Sequence, residues 1–301
     1  MSRPRAWSPT QLLISAAARW IYLSIFATAA LVASQVVGNT PAALAAGTPE
    51  AYVYHQGFDT CQGMTTAILS AWWTNTPNRT VGLYLGGEDG AAVGCGAPST
   101  SVWNDAVSTG YGVEAFWYGA QMPTSCGGEG GRPAYISLDA STATTEGESE
   151  ASKAAAQAAK YGLPFGAPIY FDLEGFANNS GCLTAAENFV NGWSYEINDH
   201  TSYVGDLYGS SCSSYLTDMA AHSNVPGAIA PDDGGVDVTG VYGLQCLPNN
   251  MWDHDQRAHQ TENEVNHTFN GVNMYVDEDC VDGTVIAKAE PAAATKCGSP
   301  Y

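Results

Sequence analysis

Apolar residues along this chain come in short runs that alternate between two spacings. Tyr52-Val53-Tyr54 leads to Gly57-Phe58-Asp59, a short strand that ends on an acid. Met64, Ile68, Leu69 and Trp72 then recur at helical spacing. Residues 80–87 form an apolar strand closed by Gly86 and Gly87, and residues 112–118 are rich in valine and aromatic side chains, as strands are. Between them, residues 99–108 read as a helix capped by Ser99. Residues 145–161 are dense in Ala, Glu and Lys, a helix stopped by Gly162 and Pro164. Residues 167–174, ending Ile169-Tyr170-Phe171-Asp172-Leu173-Glu174, are the plainest strand. A helix over 184–198 puts Phe189, Val190, Trp193 and Ile197 on one side. A strand at 203–208, a helix at 213–221 and a weak strand at 228–230 follow; a late strand at 272–276 runs into Asp277.

Strands alternating with helices over roughly 250 residues predict a mostly parallel sheet. An open doubly wound sheet and an eight-stranded barrel both satisfy the pattern, and the length suits the barrel. No Gly-x-Gly-x-x-Gly joins a strand to a helix and no Gly-x-x-x-x-Gly-Lys-Ser/Thr occurs, which weighs against nucleotide folds. The expected fold is therefore α/β: a TIM-barrel-like (β/α) barrel containing disulfides.

The first residues change the picture from cytosolic to exported. Arg3, Arg5 and Arg19 precede an uncharged apolar run over 20–37, and Ala43-Leu44-Ala45 offers a small-x-small cleavage pattern. Residues 1–45 read as a secretory signal, 46–51 as a linker, 52–290 as the barrel domain and 291–301 as a tail. Contact with a membrane is expected only through the signal if it stays uncleaved. All eight cysteines lie beyond that signal, and none forms Cys-x-x-Cys, so disulfides are expected. Spacing alone leaves 105 pairings open. A net charge of −20 repels phosphate backbones and argues against nucleic acid as partner.

The candidate chemistry is acidic. Asp172 and Glu174, two apart on one strand, share a face. In a parallel barrel the C-terminal strand ends carry the chemistry. Asp59 ends the first strand and Asp277 the last, and the first and last strands of a closed barrel are neighbours. Clustered carboxyls raise one another's pKa, and a carboxyl kept protonated can act as a general acid on a glycosidic oxygen. Trp117, Tyr118 and Trp252 fall near strand ends, where aromatic faces suit sugar rings; Tyr84 sits in the 80–87 strand near Gly86. No His-Glu-x-x-His occurs, and the run Asp277-Glu278-Asp279 fails as a calcium loop at Val281 and Lys288, so neither metal nor cofactor is expected. A Gly-x-Ser-x-Gly nucleophile elbow is also missing.

Gly57-Phe58-Asp59-Thr60-Cys61, Tyr84-Leu85-Gly86-Gly87, the Ala-rich helix before Gly162 and Ile169-Tyr170-Phe171-Asp172-Leu173-Glu174 together resemble the secreted glycoside hydrolase-like domain family of actinobacteria. That family is similar to the family-25 lysozymes, which cut peptidoglycan with a modified barrel. The resemblance implies that Glu174 is the proton donor, that Asp59 and Asp172 shape its pKa and position substrate, and that Asp277 supports whatever attacks the sugar carbon. It implies a secreted, cell-wall-associated monomer acting on an amino-sugar polymer such as peptidoglycan, with a non-catalytic glycan- or wall-binding barrel as the alternative. The sequence departs from the lysozymes at Trp252 to Gln256 and His259-Gln260-Thr261, where the aromatic after the glutamine is missing, and near Ala228-Ile229-Ala230-Pro231, which lacks a Trp.

Overall fold

The computed structural model describes residues 51–212, 216–219, 229–232, 239–288 and 297. The expected signal (1–45), most of the expected linker and all of the expected tail but Cys297 lie outside these, as does most of the helix expected at 213–221. The described residues belong to one compact unit. Among them, no helix is long and apolar enough to cross a membrane.

Eight strands close into a barrel in sequence order: β1 (Ala51–Asp59), β2 (Thr80–Gly86), β3 (Gly112–Trp117), β4 (Pro168–Leu173), β5 (Val204–Ser210), β6 (Ile229–Asp232), β7 (Arg257–Phe269) and β8 (Val272–Val285). From β1 to β7 each strand pairs in parallel with the next. β8 runs antiparallel to both neighbours, β7 and β1. Helices α1 (Thr66–Asn75), α2 (Glu88–Val93), α3 (Thr100–Thr109), α4 (Ala140–Tyr161), α5 (Ser180–His200) and α6 (Leu216–Met219) lie in the connections before β6.

Alternation along the strands sorts side chains between two apolar layers. Leu83, Ala115, Ile169, Phe171 and Leu173 face outward and join Trp72, Trp103, Phe189 and Trp193 of the helices. Tyr84, Phe116, Tyr170, Val281 and Val285 fill the barrel. Burial on both faces is why these strands read as continuous apolar runs rather than alternating ones.

Two differences from the expected elements have physical causes. β7 carries no apolar signal because its second half is largely exposed and polar, and β8 continues through Asp277 to Val285 instead of ending there. Asp277 reaches the same barrel end as Asp59 because β8 is antiparallel, not because a strand stops at it. Helix α4 starts five residues before the expected 145, where the Asp139 carboxylate accepts the Thr142 amide at 2.9 Å.

α4 and α5 pack on each other through glycines. A Cβ on Gly147 would lie 2.1 Å from the Phe189 carbonyl, and one on Gly192 would lie 2.1 Å from that of Thr144. The backbones therefore approach more closely than any side chain allows. Four disulfides join consecutive cysteines: Cys61–Cys95, Cys126–Cys182, Cys212–Cys246 and Cys280–Cys297.

The glycine contact sets a stability expectation. Gly192→Ala should destabilise the fold by about 1–3 kcal/mol through overpacking, despite alanine's better helix propensity. Urea unfolding followed by far-UV circular dichroism reads this; an unchanged midpoint would show that the helices separate without cost.

Candidate active site

The parallel strands deliver their C-terminal ends to one mouth of the barrel. β1 ends there at Asp59, and the antiparallel register sets Asp59 opposite Asp277 on β8. Across the mouth, β4 brings Asp172, with Glu174 directly after its last residue. The inward face of β8 continues from Asp277 to Asp279, and the inward face of β3 carries Glu114 below Phe116 and Tyr118. The acids are graded in depth: Glu174 and Asp277 are half-buried, whereas Asp59, Asp172, Asp279 and Glu114 are buried.

Each buried acid is held in part. The Asp172 carboxylate accepts the Tyr84 hydroxyl at 3.3 Å through Oδ2, and its Oδ1 has no partner. Asp59 accepts an amide hydrogen from Gln260 at 3.2 Å, and Gln260 in turn accepts the Tyr208 hydroxyl at 2.8 Å. Gly82 makes this packing feasible, since a Cβ there would lie 2.5 Å from that of Asp59. Between Asp172 at the mouth and Glu114 deeper in the barrel, Phe116 meets Tyr170, Tyr84 and Tyr208 at ring-centroid distances of 5.4, 5.7 and 5.8 Å. This aromatic plug closes the barrel under the mouth.

Gln121 sets the strand end that carries the acid. Its side-chain amide donates to the Asp172 carbonyl at 2.7 Å, and its side-chain oxygen accepts the Glu174 amide at 2.9 Å. Its backbone accepts the Ile136 amide at 2.9 Å. One buried glutamine thus ties the β4 end to the segment beyond β3.

Removal from water is the largest influence on the cluster. Desolvation raises Asp59 well above the usual carboxylate range, reinforced by Asp277 and Glu114. Asp172 is raised by desolvation, then by Glu174 and Asp59. Asp279 is raised by desolvation, then by Asp59 and Glu114. Burial alone lifts Glu114 to about 8, and its Oε1 has no partner. The group is thus an electrostatically coupled set that retains protons where isolated carboxyls would have lost them.

The aromatic residues expected at the mouth divide. Tyr84 and Tyr118 are there: Tyr84 touches Asp172, and the Tyr118 side chain hydrogen-bonds to Glu174. Trp117 is not. It faces outward, where its indole nitrogen donates to Glu150 of α4 at 2.7 Å. Strand alternation separates it from Tyr118. Trp252 is also absent from the mouth; it is buried in the outer apolar cluster. Its carbonyl accepts from Arg257, whose guanidinium also holds the carbonyls of Val241, Pro248 and Met251.

Four residues of the site, Glu114, Asp279, Gln260 and Tyr275, are not among the site candidates the sequence offers. Glu114 offered a signal, a lone acid inside an apolar strand. Asp279 and Gln260 follow from inward alternation once β7 and β8 are known. Tyr275 lies two residues before Asp277 on the same face of β8, and is 52% exposed above the mouth.

A sequence model of the Rv2525c-like, glycoside hydrolase-like domain matches residues 70–281. The match includes Asp172, Glu174 and Asp277 and begins after Asp59. Among solved structures, the Tat-secreted protein Rv2525c of Mycobacterium tuberculosis, crystallised with L-tartrate, is similar with a TM-score of 0.51 and 17% identity over 76% of this chain and 96% of that one. At that identity the likeness is one of fold. The spore cortex lytic enzyme SleM of Clostridium perfringens aligns with a TM-score of 0.48 at 13% identity, over 78% of this chain and 68% of its own. A family 25 glycosyl hydrolase from Bacillus anthracis aligns at 0.46 and 14% identity, over 77% and 94%. A comparison with curated protein sequences finds no match.

The buried Glu114 gives a signed pH expectation. Its carboxyl is raised from 4.5 to about 8 in the folded protein. The folded state therefore holds a proton that the unfolded state releases, and stability present below pH 4.5 is lost as pH rises toward 8. Glu114→Gln should melt like the parent at pH 4.5 and roughly 10 °C higher at pH 8. Thermal unfolding across that range decides; identical slopes for both proteins would remove Glu114 from the set.

Proposed function

This chain belongs to the Rv2525c-like, glycoside hydrolase-like domain family, and we propose that it is an exported glycoside hydrolase acting on an amino-sugar polymer such as peptidoglycan. The observation that carries this reading is the meeting of Asp172 and Glu174 with the Asp59–Asp277 pair at one barrel mouth.

Glu174 is the proton donor. It is half-buried at the rim, so a glycosidic oxygen can reach it. Gln121 fixes its backbone and Tyr118 its carboxyl. Asp172 below it is buried and raised by desolvation and by the Glu174 charge. That arrangement keeps a proton available for the leaving oxygen.

Asp277 faces the same space from the opposite wall. It supports the attacking group, whether water or the substrate's acetamido oxygen, as positive charge develops on the sugar carbon. Asp59 lies opposite it in register and shares the negative field. Tyr84 and Tyr118 position the sugar. Four disulfides fit an oxidising compartment outside the cytoplasm, in keeping with residues 1–45 as an export signal.

The test is release of reducing ends from peptidoglycan and from chitin by the oxidised protein. Glu174→Gln should lower the rate by about 10²–10⁴-fold, the usual contribution of a general acid. Equal rates for parent and variant would reassign the acid. Binding to the polymer without reducing ends from either protein would make the barrel a glycan-binding module instead.

A further inference from the structure

β7 carries more residues than the strand it pairs with. Gln260 pairs with Asp279 and Glu262 with the adjacent Glu278, so Thr261 is an extra residue. Glu262 pairs with Glu278 and Val265 with Val276, so Asn263 and Glu264 together oppose Asp277. Two bulges therefore stand side by side on β7. A single extra residue would turn the outer half of the strand inside out, and the second restores the alternation. Val265 and Phe269 accordingly pack on the outer apolar cluster. A strand with no bulge would pack them the same way, so the irregularity serves something other than that packing.

The second bulge contains a strained residue. Glu264 has a φ of 52°, in the left-handed region. Among the described strand residues other than glycine, it is the one with such a φ. The residue is exposed, so burial of its side chain does not impose the conformation. Its amide donates to the Asp277 side chain, at Oδ1, over 2.6 Å. Strain of this kind persists only where the surroundings fix it, and bulges beside functional sites re-aim a side chain.

Asp277 is thus gripped from two sides. Two residues before it, the Tyr275 carbonyl accepts the Thr60 hydroxyl at 2.7 Å, and the Tyr275 amide donates to the Gln62 side-chain oxygen at 3.4 Å. Both partners belong to the segment that follows Asp59, and Cys61 between them is bridged to Cys95. This segment fixes the β8 backbone against β1. The Glu264 amide fixes the carboxylate which that backbone carries.

The titratable groups around Asp277 are Asp59 on β1, Tyr84 on β2 and Asp279 on β8, all of which feel its charge. Glu278, paired with His267, follows it on β8, and Glu264 adds a carboxyl on β7. Asp172 and Glu174 stand across the mouth. Each neighbouring carboxylate opposes the charged form of Asp277. A backbone N–H donor favours that form, and it cannot lose its proton as a side-chain acid can.

We propose that Glu264 is a positioning residue whose left-handed bulge directs a backbone amide at Asp277, fixing the orientation and the charge of that carboxylate. The assignment rests on the reading of Asp277 as the support for the attacking group, and adds the device that holds it ready.

The experiment is an NMR titration of the oxidised protein with carbon-13-labelled aspartate carboxyls, in which the Asp277 signal is the one lost in Asp277→Asn. Glu264→Val and Glu264→Gly are compared. Both delete the side-chain charge, which by itself lowers the Asp277 midpoint. Glycine adopts the left-handed φ freely and keeps the amide in place, whereas β-branched valine disfavours it. The Asp277 midpoint should lie about one unit or more higher in Glu264→Val than in Glu264→Gly, the effect of losing a hydrogen bond to a charged group. In reducing-end release, the acid limb of kcat/KM should move the same way, with the loss in kcat rather than in KM.

Equal midpoints in the two variants overturn the proposal. If Glu264→Val does not fold, glycolic acid introduced at position 264 by chemical ligation replaces the amide of Glu264→Gly with an ester and removes the donor alone. An unmoved midpoint in that protein overturns the proposal as well, and a rise of about one unit supports it. The rise without any hydrolysis by the parent would sink the hydrolase reading alone. Hydrolysis with equal midpoints would sink this proposal alone.

Discussion

Carboxyl groups kept out of water at the mouth of a closed barrel are the constraint around which this protein is arranged. An isolated buried carboxylate is costly, and several facing one another are more so. The protein meets that constraint with protons and with neutral donors. Gln260 and Tyr84 donate to the buried acids, and Tyr208 holds Gln260. A ring of cations would pair the acids and fix them as carboxylates. Amides and phenols leave them able to hold and release protons.

The barrel topology places the four acids at one opening, with Gln121 of the segment beyond β3 fixing the β4 end. Parallel strands aim their C-terminal ends at one opening. The final antiparallel strand then brings the middle of its length, not its end, to the same opening. Because β7 and β8 are longer than the other strands and their hairpin tip turns at Asn270-Gly271, the pair rises beyond the mouth and carries Tyr275 with it. The family match over residues 70–281 takes in this hairpin and both Asp172 and Glu174.

Much of the barrel was legible in the sequence because β2, β3 and β4 are buried on both faces and read as plain apolar runs. The Asp172–Glu174 pair was legible for the same reason: two acids closing such a run stand out. β7 was hidden, since its exposed half reads as loop. With β7 unseen, the inward positions of Gln260 and Asp279 could not be read. Trp117 and Tyr118 show the finer limit. Adjacent residues on a strand point opposite ways, and choosing which faces the mouth requires the register of every neighbour.

The disulfide pattern has a consequence for how the chain matures. Each bridge closes before the next begins: Cys61–Cys95, Cys126–Cys182, Cys212–Cys246, Cys280–Cys297. Under the proposed export, a polypeptide threaded N-terminus first through a membrane pore presents its thiols in that order. An oxidase that joins each emerging cysteine to the one before it produces the native set directly. No wrong pairing has to be undone, so such a chain depends on a thiol oxidant and is spared the need for an isomerase.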